Sequence, residues 1–340
     1  MFRTKPGWNF SRARTLFARV LLLALVSWGG ALPAQAWGRK VNLVRKYRPG
    51  QKMVYQTTIQ TRATIQSDPP GLKAFLPPVP TDLKTRQQNT VTIQTVQSDG
   101  TAVIQNRFDQ FEFQSNLVDL LPENLRDSAK EDQQDFSQHV AGQVLTARYD
   151  RHGKLLGFEG ADDMLGEVEG PLREPLRQVL RLFLEQMGGH ALYPGHPVKQ
   201  GEEWKQSLDE AARQDYPFAV KGESVLHYSG KTKYRGVKAA LVDFTFTNVM
   251  VPEVQKLRQG GPLAQLNASG LDLEMHIDGQ GKGRVLLALD DGRVLQNHAT
   301  IHETLTANLK SARGLPITIN KPVRLQIESQ TELAVEGAGK

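Results

Sequence analysis

Across residues 53–66 the odd positions hold Met, Tyr, Thr, Ile, Thr, Ala and Ile, whereas the even ones are mostly Gln, Thr and Arg. A two-residue period predicts a strand, because successive side chains of an extended chain face opposite ways. A strand of this length spans on the order of 45 Å, well beyond the usual five or six residues, and only a long, strongly curved sheet or a barrel uses such a length. The pattern recurs where Leu271, Leu273, Met275 and Ile277 alternate with Asp272, Glu274, His276 and Asp278. It recurs again where Val323, Leu325, Ile327, Leu333 and Val335 oppose Arg324, Gln326, Glu328 and Glu332. Further strands are predicted over residues 91–96, 102–113, 144–149, 223–228, 239–251, 285–289 and 294–305. Asp99-Gly100, His152-Gly153, Arg235-Gly236 and Asp291-Gly292 fall between them, where a hairpin needs residues tolerant of positive φ. The chain reads as a meander of antiparallel hairpins.

One amphipathic helix interrupts it. Leu172, Leu176, Val179, Leu180, Phe183 and Met187 recur at three- and four-residue steps, Pro171 and Pro175 suit an early turn, and Gly188-Gly189 is a stop. Shorter helical pieces are predicted over residues 122–136 and 252–259.

Several markers occur twice in the same order. They are a Gly opening a unit (Gly50, Gly201), a turn Gly before an aromatic strand (Gly100, Gly236), a Pro-led helical piece (Pro122, Pro252) and an Asp-containing turn before a strand (Asp150 to Lys154, Asp290 to Arg293). The order predicts two related β units, 37–190 ending in the long helix and 191–340. The fold class is therefore mainly β, a β-rich α+β arrangement of long curved antiparallel sheets with one amphipathic helix packed against them.

Residues 1–36 read differently. Arg3, Lys5, Arg12, Arg14 and Arg19 form a basic start, an apolar stretch follows, and Ala34-Gln35-Ala36 is the small-residue pattern that signal peptidase cuts. The stretch is shorter than the twenty or so residues of a membrane-crossing helix, so cleavage and a periplasmic or secreted mature protein are expected, with no stable membrane span. Removing five basic residues from the 42 Lys+Arg against 36 Asp+Glu of the whole chain leaves 37 against 36. That near-neutral balance removes the electrostatic footprint of nucleic-acid binding. With no cysteine, an exported chain must hold its fold by burial alone.

Chemistry-bearing motifs are weak. His298 and His302 would converge on a metal in a helix, but their surroundings alternate as a strand, which parts them by roughly 13 Å. Gly230-Lys231-Thr232 lacks the glycine of a phosphate loop, and Gly279, Gly281 and Gly283 end on Arg284 where a dinucleotide fingerprint needs glycine, so both read as hairpin or strand-edge glycines. Asp162, Asp163, Glu167 and Glu169 suit a helix N-terminus, and Trp204 suits the core of the second unit. No catalytic residue, cofactor or metal site is expected, and the chain is not read as an enzyme.

Residues 67–81 hold five prolines interleaved with Leu72, Phe75, Leu76 and Val79, which excludes a central strand and suggests a lid or contact loop. The leader, the Tyr47-Arg48-Pro49-Gly50 approach to the first strand, the Gly201-x-x-Trp204 turn and the aromatic strands together resemble uncharacterised exported bacterial β-rich proteins. More distantly, the combination is similar to half-barrel envelope carriers of lipid or lipoprotein. That resemblance implies a non-enzymatic carrier of an apolar ligand, a lipid or acyl chain, held between curved sheet and helix. Candidate lining residues are Met53, Tyr55, Ile59, Phe111, Phe113, Leu180, Phe183, Phe244 and Phe246. The alternative is an envelope interaction or assembly protein that engages a protein partner through an edge strand or the Pro-rich loop.

Overall fold

The computed structural model describes residues 40–65, 81–116, 119, 123–165, 192–211, 218–253, 271–312 and 323–338. The leader, the Pro-rich loop, the helix predicted over 171–189 and the piece over 254–259 lie outside them.

Alternation does become extended chain. The first half holds β1 (Lys52–Ile65), β2 (Thr81–Val96), β3 (Ala102–Ser115), helix α1 (Glu123–Val140), β4 (Val144–Tyr149), β5 (Leu155–Glu159) and the short helix α2 (Ala161–Leu165). The second holds β6 (Glu203–Glu210), β7 (Phe218–Tyr234), β8 (Val237–Pro252), β9 (Leu271–Ala288), β10 (Val294–Ala312) and β11 (Val323–Ala338). All belong to one antiparallel sheet in the order β5-β4-β3-β2-β1-β11-β10-β9-β8-β7-β6. The chain walks outward from β1 to β5 and inward from β6 to β11. First and last strands therefore pair in the middle, from Met53 opposite Ala338 to Ile65 opposite Leu325. The sheet does not close into a barrel, and β5 and β6 are its edges. A twist of 20–25° per neighbouring pair accumulates to roughly 200° or more over such a sheet, and bulges in β1–β11, β2–β3, β7–β8 and β9–β10 add bending.

Three expectations are corrected. Strand β2 starts at Thr81, ten residues before the predicted 91, because its Gln- and Thr-rich first half lacks alternation and is held by pairing with β1. Pro252 ends β8 rather than opening a helical turn. Gly279, Gly281 and Gly283 are neither hairpin nor edge residues, since they lie inside β9, flanked by β8 and β10. The turn glycines are where the sequence puts them: Gly100, Gly153, Gly236 and Gly292 all have positive φ, and Arg235 before Gly236 does too. Gly50 and Gly201 play like parts, the first donating its N–H to Ile93 O at 2.7 Å and the second to Tyr228 O at 2.8 Å.

Among the described residues, large apolar side chains gather mainly in two clusters on the buried face, with a smaller one of Phe246, Ala299 and Ile301 between them. Met53, Tyr55, Val91, Ile93, Phe108, Leu145, Tyr149 and Val335 form one, and Leu43, Tyr193, Trp204, Leu226, Tyr228, Val242, Phe244, Val285 and Leu287 form the other. Helix α1 guards the part of β3 that β4 does not reach. Ser137 Oγ accepts from Phe113 N at 3.2 Å, and Phe136 meets Phe111 and Phe113 edge-on, at centroid distances of 5.9 and 6.4 Å. An exposed strand edge is thereby covered.

The β9–β10 hairpin ties the segment that leads into β1 to the sheet. Asp291, fully buried, accepts from Gln51 Nε2 at 2.7 Å and from Arg293, while its carbonyl accepts from Lys46 N at 2.8 Å. Tyr193 donates to Gly292 O at 2.8 Å. Burial pulls the Asp291 carboxyl up, but the Gln51 and Arg293 hydrogen bonds and the Arg45 and Arg293 charges outweigh it and hold the group below its usual range.

Candidate functional site

Pairing registers lay the buried face out as rows across the strands. One row runs Leu226, Phe244, Gly283, Ala299, Thr331, Ile59, Thr85, Phe113. The next runs Ser224, Phe246, Gly281, Ile301, Ser329, Thr61, Leu83. Beyond it lie Gly222, Asn248, Gly279, Glu303, Ile327 and Ala63. On the other side of the first row, Asn297 sits between Val285 and Leu333, with Thr57 following.

Between Ile59, Ile301 and Phe246, the middle of this face carries small and polar side chains although it is out of water. Ala299 and Ser329 are fully buried, as is Asn297, and Thr57, Thr61 and Thr331 are buried beside them. The β9 glycines explain how large neighbours fit. A Cβ on Gly281 would stand 2.3 Å from Phe246 Cε1, and one on Gly279 would stand 2.1 Å from Asn248 Oδ1, so the ring and the amide lie across β9 towards β10. Thr61 and Ser329 satisfy each other at 3.1 Å. Asn297 Nδ2 and Oδ1, Asn248 Oδ1 and both Glu303 oxygens, in contrast, have no hydrogen-bond partner. Burial pushes the Glu303 carboxyl up to about 8.

Of the candidate lining residues, Met53, Tyr55, Ile59, Phe113, Phe244 and Phe246 are buried on this face and Phe111 is partly buried, in contact with Phe108 and Phe136. They are not brought to one spot: Met53 and Tyr55 belong to one cluster and Phe244 to the other, with Phe246 against Ala299 and Ile301. Tyr55 spends its hydroxyl on Val294 O at 3.2 Å. Leu180 and Phe183, and the lid residues Leu72, Phe75, Leu76 and Val79, lie outside the described residues. Trp204 is buried in the second cluster. Asn248, Asn297 and Glu303 were not among the sequence candidates. The signal was parity, since Glu303 and Asn297 share the odd positions of β10 with Ala299 and Ile301.

The opposite face is exposed and charge-paired over much of its area, but it buries Ala239, Leu286, Ala288 and Leu295 in one cluster and His227 beside Asp243. Arg62 meets Asp82 at 2.7 Å, Arg86 meets Glu112 at 3.7 Å and Arg284 meets Asp243 at 2.7 Å. His298 and His302 lie exposed on β10, in different rows opposite Glu332 and Glu328, and do not converge. Ser229 donates to Asp243 and lies 3.0 Å from His227 Nδ1. A nucleophilic triad needs the histidine between the other two, whereas here the serine is in the middle. An open cavity of about 690 Å³ is lined mostly by polar side chains, among them Gln60, Lys84, Gln114 and Lys130, and also reaches Thr61 and Leu83 of the buried face.

No protein-family model and no curated protein matches the sequence. Among solved structures, the chain is similar over 86% of its length to one described as lipid–protein interactions in lipovitellin, with 10% identity and a TM-score of 0.38, and it spans only 26% of that chain. It is similar to DynF of the dynemicin biosynthesis pathway of Micromonospora chersina, with 10% identity, 93% and 92% of the two chains covered and a TM-score of 0.19. An outer membrane channel from Pseudomonas putida F1 gives 7% identity, 89% and 100% coverage and a TM-score of 0.19.

Proposed function

We propose that this protein is exported and acts, without chemistry of its own, as a carrier that holds an apolar molecule, a lipid or an acyl chain, against the buried face of its sheet. The observation that carries the reading is the make-up of the middle of that face. A core that fills itself interlocks large apolar side chains at crystal-like density. Here Ala299, Ser329, Thr331 and Thr61 follow one another across adjacent strands and are buried, Gly281 and Gly283 beside them are half-buried, and apart from Ile59, Ile301 and Phe246 the large side chains lie in flanking clusters. Small walls around a dry interior suit a guest.

The edges argue against the rival reading of partner assembly. β5 has 5 residues and β6 has 8, and the β6–β7 pair carries Lys205–Glu223 and Asp209–Lys221 charge pairs. Short, charged edges are how sheets avoid pairing with another chain.

The test is extraction and mass spectrometry of protein purified without detergent, followed by titration with a fluorescent acyl probe. The wild type should yield an apolar molecule near one per chain. Ala299→Trp, which fills the face, should lose it, and Thr300→Trp, on the opposite face, should keep it at an unchanged melting temperature. A wild type that yields no apolar molecule and takes up no probe sinks the proposal.

A further inference from the structure

Three hydrogen-bond acceptors without donors lie in one row of the buried face. Glu303 is 1% exposed and neither carboxyl oxygen has a partner. Asn248, 8% exposed and two strands away, has an unpartnered Oδ1, and its amide rests over Gly279, the residue between them. Gly279 is what permits this approach, because any side chain there would collide with Asn248 Oδ1. Buried polar atoms are normally satisfied, and leaving one unsatisfied costs about 1–3 kcal/mol, more for a charged group. Among the described residues this row and its neighbour hold no other ionisable side chain. With Glu303 ionised the set therefore lacks donors and a counter-charge; with Glu303 protonated it holds a single donor.

We infer that the Glu303–Asn248 row is the head-group site of the carried molecule and that it takes a primary ammonium borne on an apolar chain. An ammonium brings three N–H donors and no acceptor, which matches Glu303 Oε1, Oε2 and Asn248 Oδ1 one for one. Against ionised Glu303 a hydroxyl brings one donor and leaves two acceptors unmet, and it gives the carboxyl no reason to lose its proton. A carboxylate brings none and adds like charge. A buried ion pair holds only when its remaining hydrogen-bonding atoms are also satisfied, and the third acceptor on Asn248 meets that condition. Ile327 in the row, and Ile301 and Phe246 in the next, face the apolar chain. The inference rests on the carrier reading above and adds to it the chemistry of the head.

Proton accounting gives a readout that mere structural polarity would not move. Glu303 is mostly protonated at pH 7, since burial raises its carboxyl to about 8. An incoming ammonium displaces that proton to solvent, so about one proton leaves for each molecule bound.

The experiment is calorimetric titration of the full chain, stripped of ligand, with dodecylamine, dodecanol and dodecanoate at pH 7 in buffers of different ionisation enthalpy. The amine should bind at least about tenfold more tightly than the alcohol, as one charge-assisted hydrogen bond is worth that much, and should release about one proton. Glu303→Gln should lose that preference and the proton release while still binding the alcohol. If the Gln variant does not fold, the wild-type head-group preference and proton release decide alone. Equal binding of amine and alcohol, tighter binding of dodecanoate, or amine binding without proton release overturns the ammonium site and leaves the carrier standing. Failure of all three probes overturns both.

Discussion

Replacing Glu303 by Gln removes one titrating group from the sheet's interior and little else, because the two side chains are nearly isosteric. In the folded protein burial raises this carboxyl from 4.5 to about 8. The native state therefore binds a proton that the unfolded chain has released throughout that window, and stability falls with rising pH. The favourable contribution is complete below pH 4.5, fades as pH climbs and is gone above 8. At 1.36 kcal/mol per unit the loss is about 5 kcal/mol in total, of which about 3 has gone by pH 7. The group is buried, so solvent screening takes little from that figure. The Gln variant has no such term. Urea unfolding followed by tryptophan fluorescence, in which buried Trp204 participates, measures both proteins from pH 4.5 to 9. They should be nearly equally stable at the acid end, and the variant should be several kcal/mol more stable at the alkaline end. Because other groups titrate alike in both, the difference isolates Glu303. A difference that stays constant within about 1 kcal/mol across the range would refute the argument from burial.

Asp291 should behave in the opposite sense, since its carboxyl is held below its usual value. Its contribution is present at neutral pH and lost as pH falls through the carboxylate range, so Asp291→Asn should flatten the acid limb of the stability profile. Asp291→Ala, which takes the close partner of buried Arg293 and leaves it only Asp290 at 3.8 Å, should cost about 3 kcal/mol by urea unfolding. Gly292→Ala meets both a φ of +70° and Val44 O at 2.2 Å from the new Cβ, and should lower stability by more than the roughly 1 kcal/mol of a plain glycine replacement. Phe136→Ala removes the ring that docks α1 on β3, and should cost about 3 kcal/mol and speed hydrogen exchange at Phe113 N. In a bacterial host the full chain should appear outside the cytoplasm with its N-terminus at Trp37, and an uncleaved cytoplasmic product by intact-mass analysis would refute export.

Much of the sheet was legible because its signals are local. Odd positions 53–63 of β1 are the buried ones, as their alternation requires, and Asp99-Gly100, Arg235-Gly236 and Asp291-Gly292 do turn between strands. Local signals failed where the partner strand supplies the order. The Gln- and Thr-rich start of β2 has no alternation to read, yet pairing with Lys52–Ala63 makes it strand. The β9 glycines misled for a related reason: the need for glycine arises from Phe246 and Asn248, which come from another strand altogether.

The sequence by itself determined most of the extended segments, several of their turns and the inward parity of β1, because a strand's side-chain period depends only on its own backbone, but β5, β6 and the first half of β2 carry too little alternation to be read. It could not decide that the first and last strands meet in the middle of one sheet, since pairing Met53 with Ala338 is a contact between distant parts of the chain. Nor could it mark Glu303, Asn248 and Asn297 as a set. Each is an ordinary polar residue in its own strand, and they become exceptional only when cross-strand register lines them up on one face and burial withdraws the water that would have satisfied them.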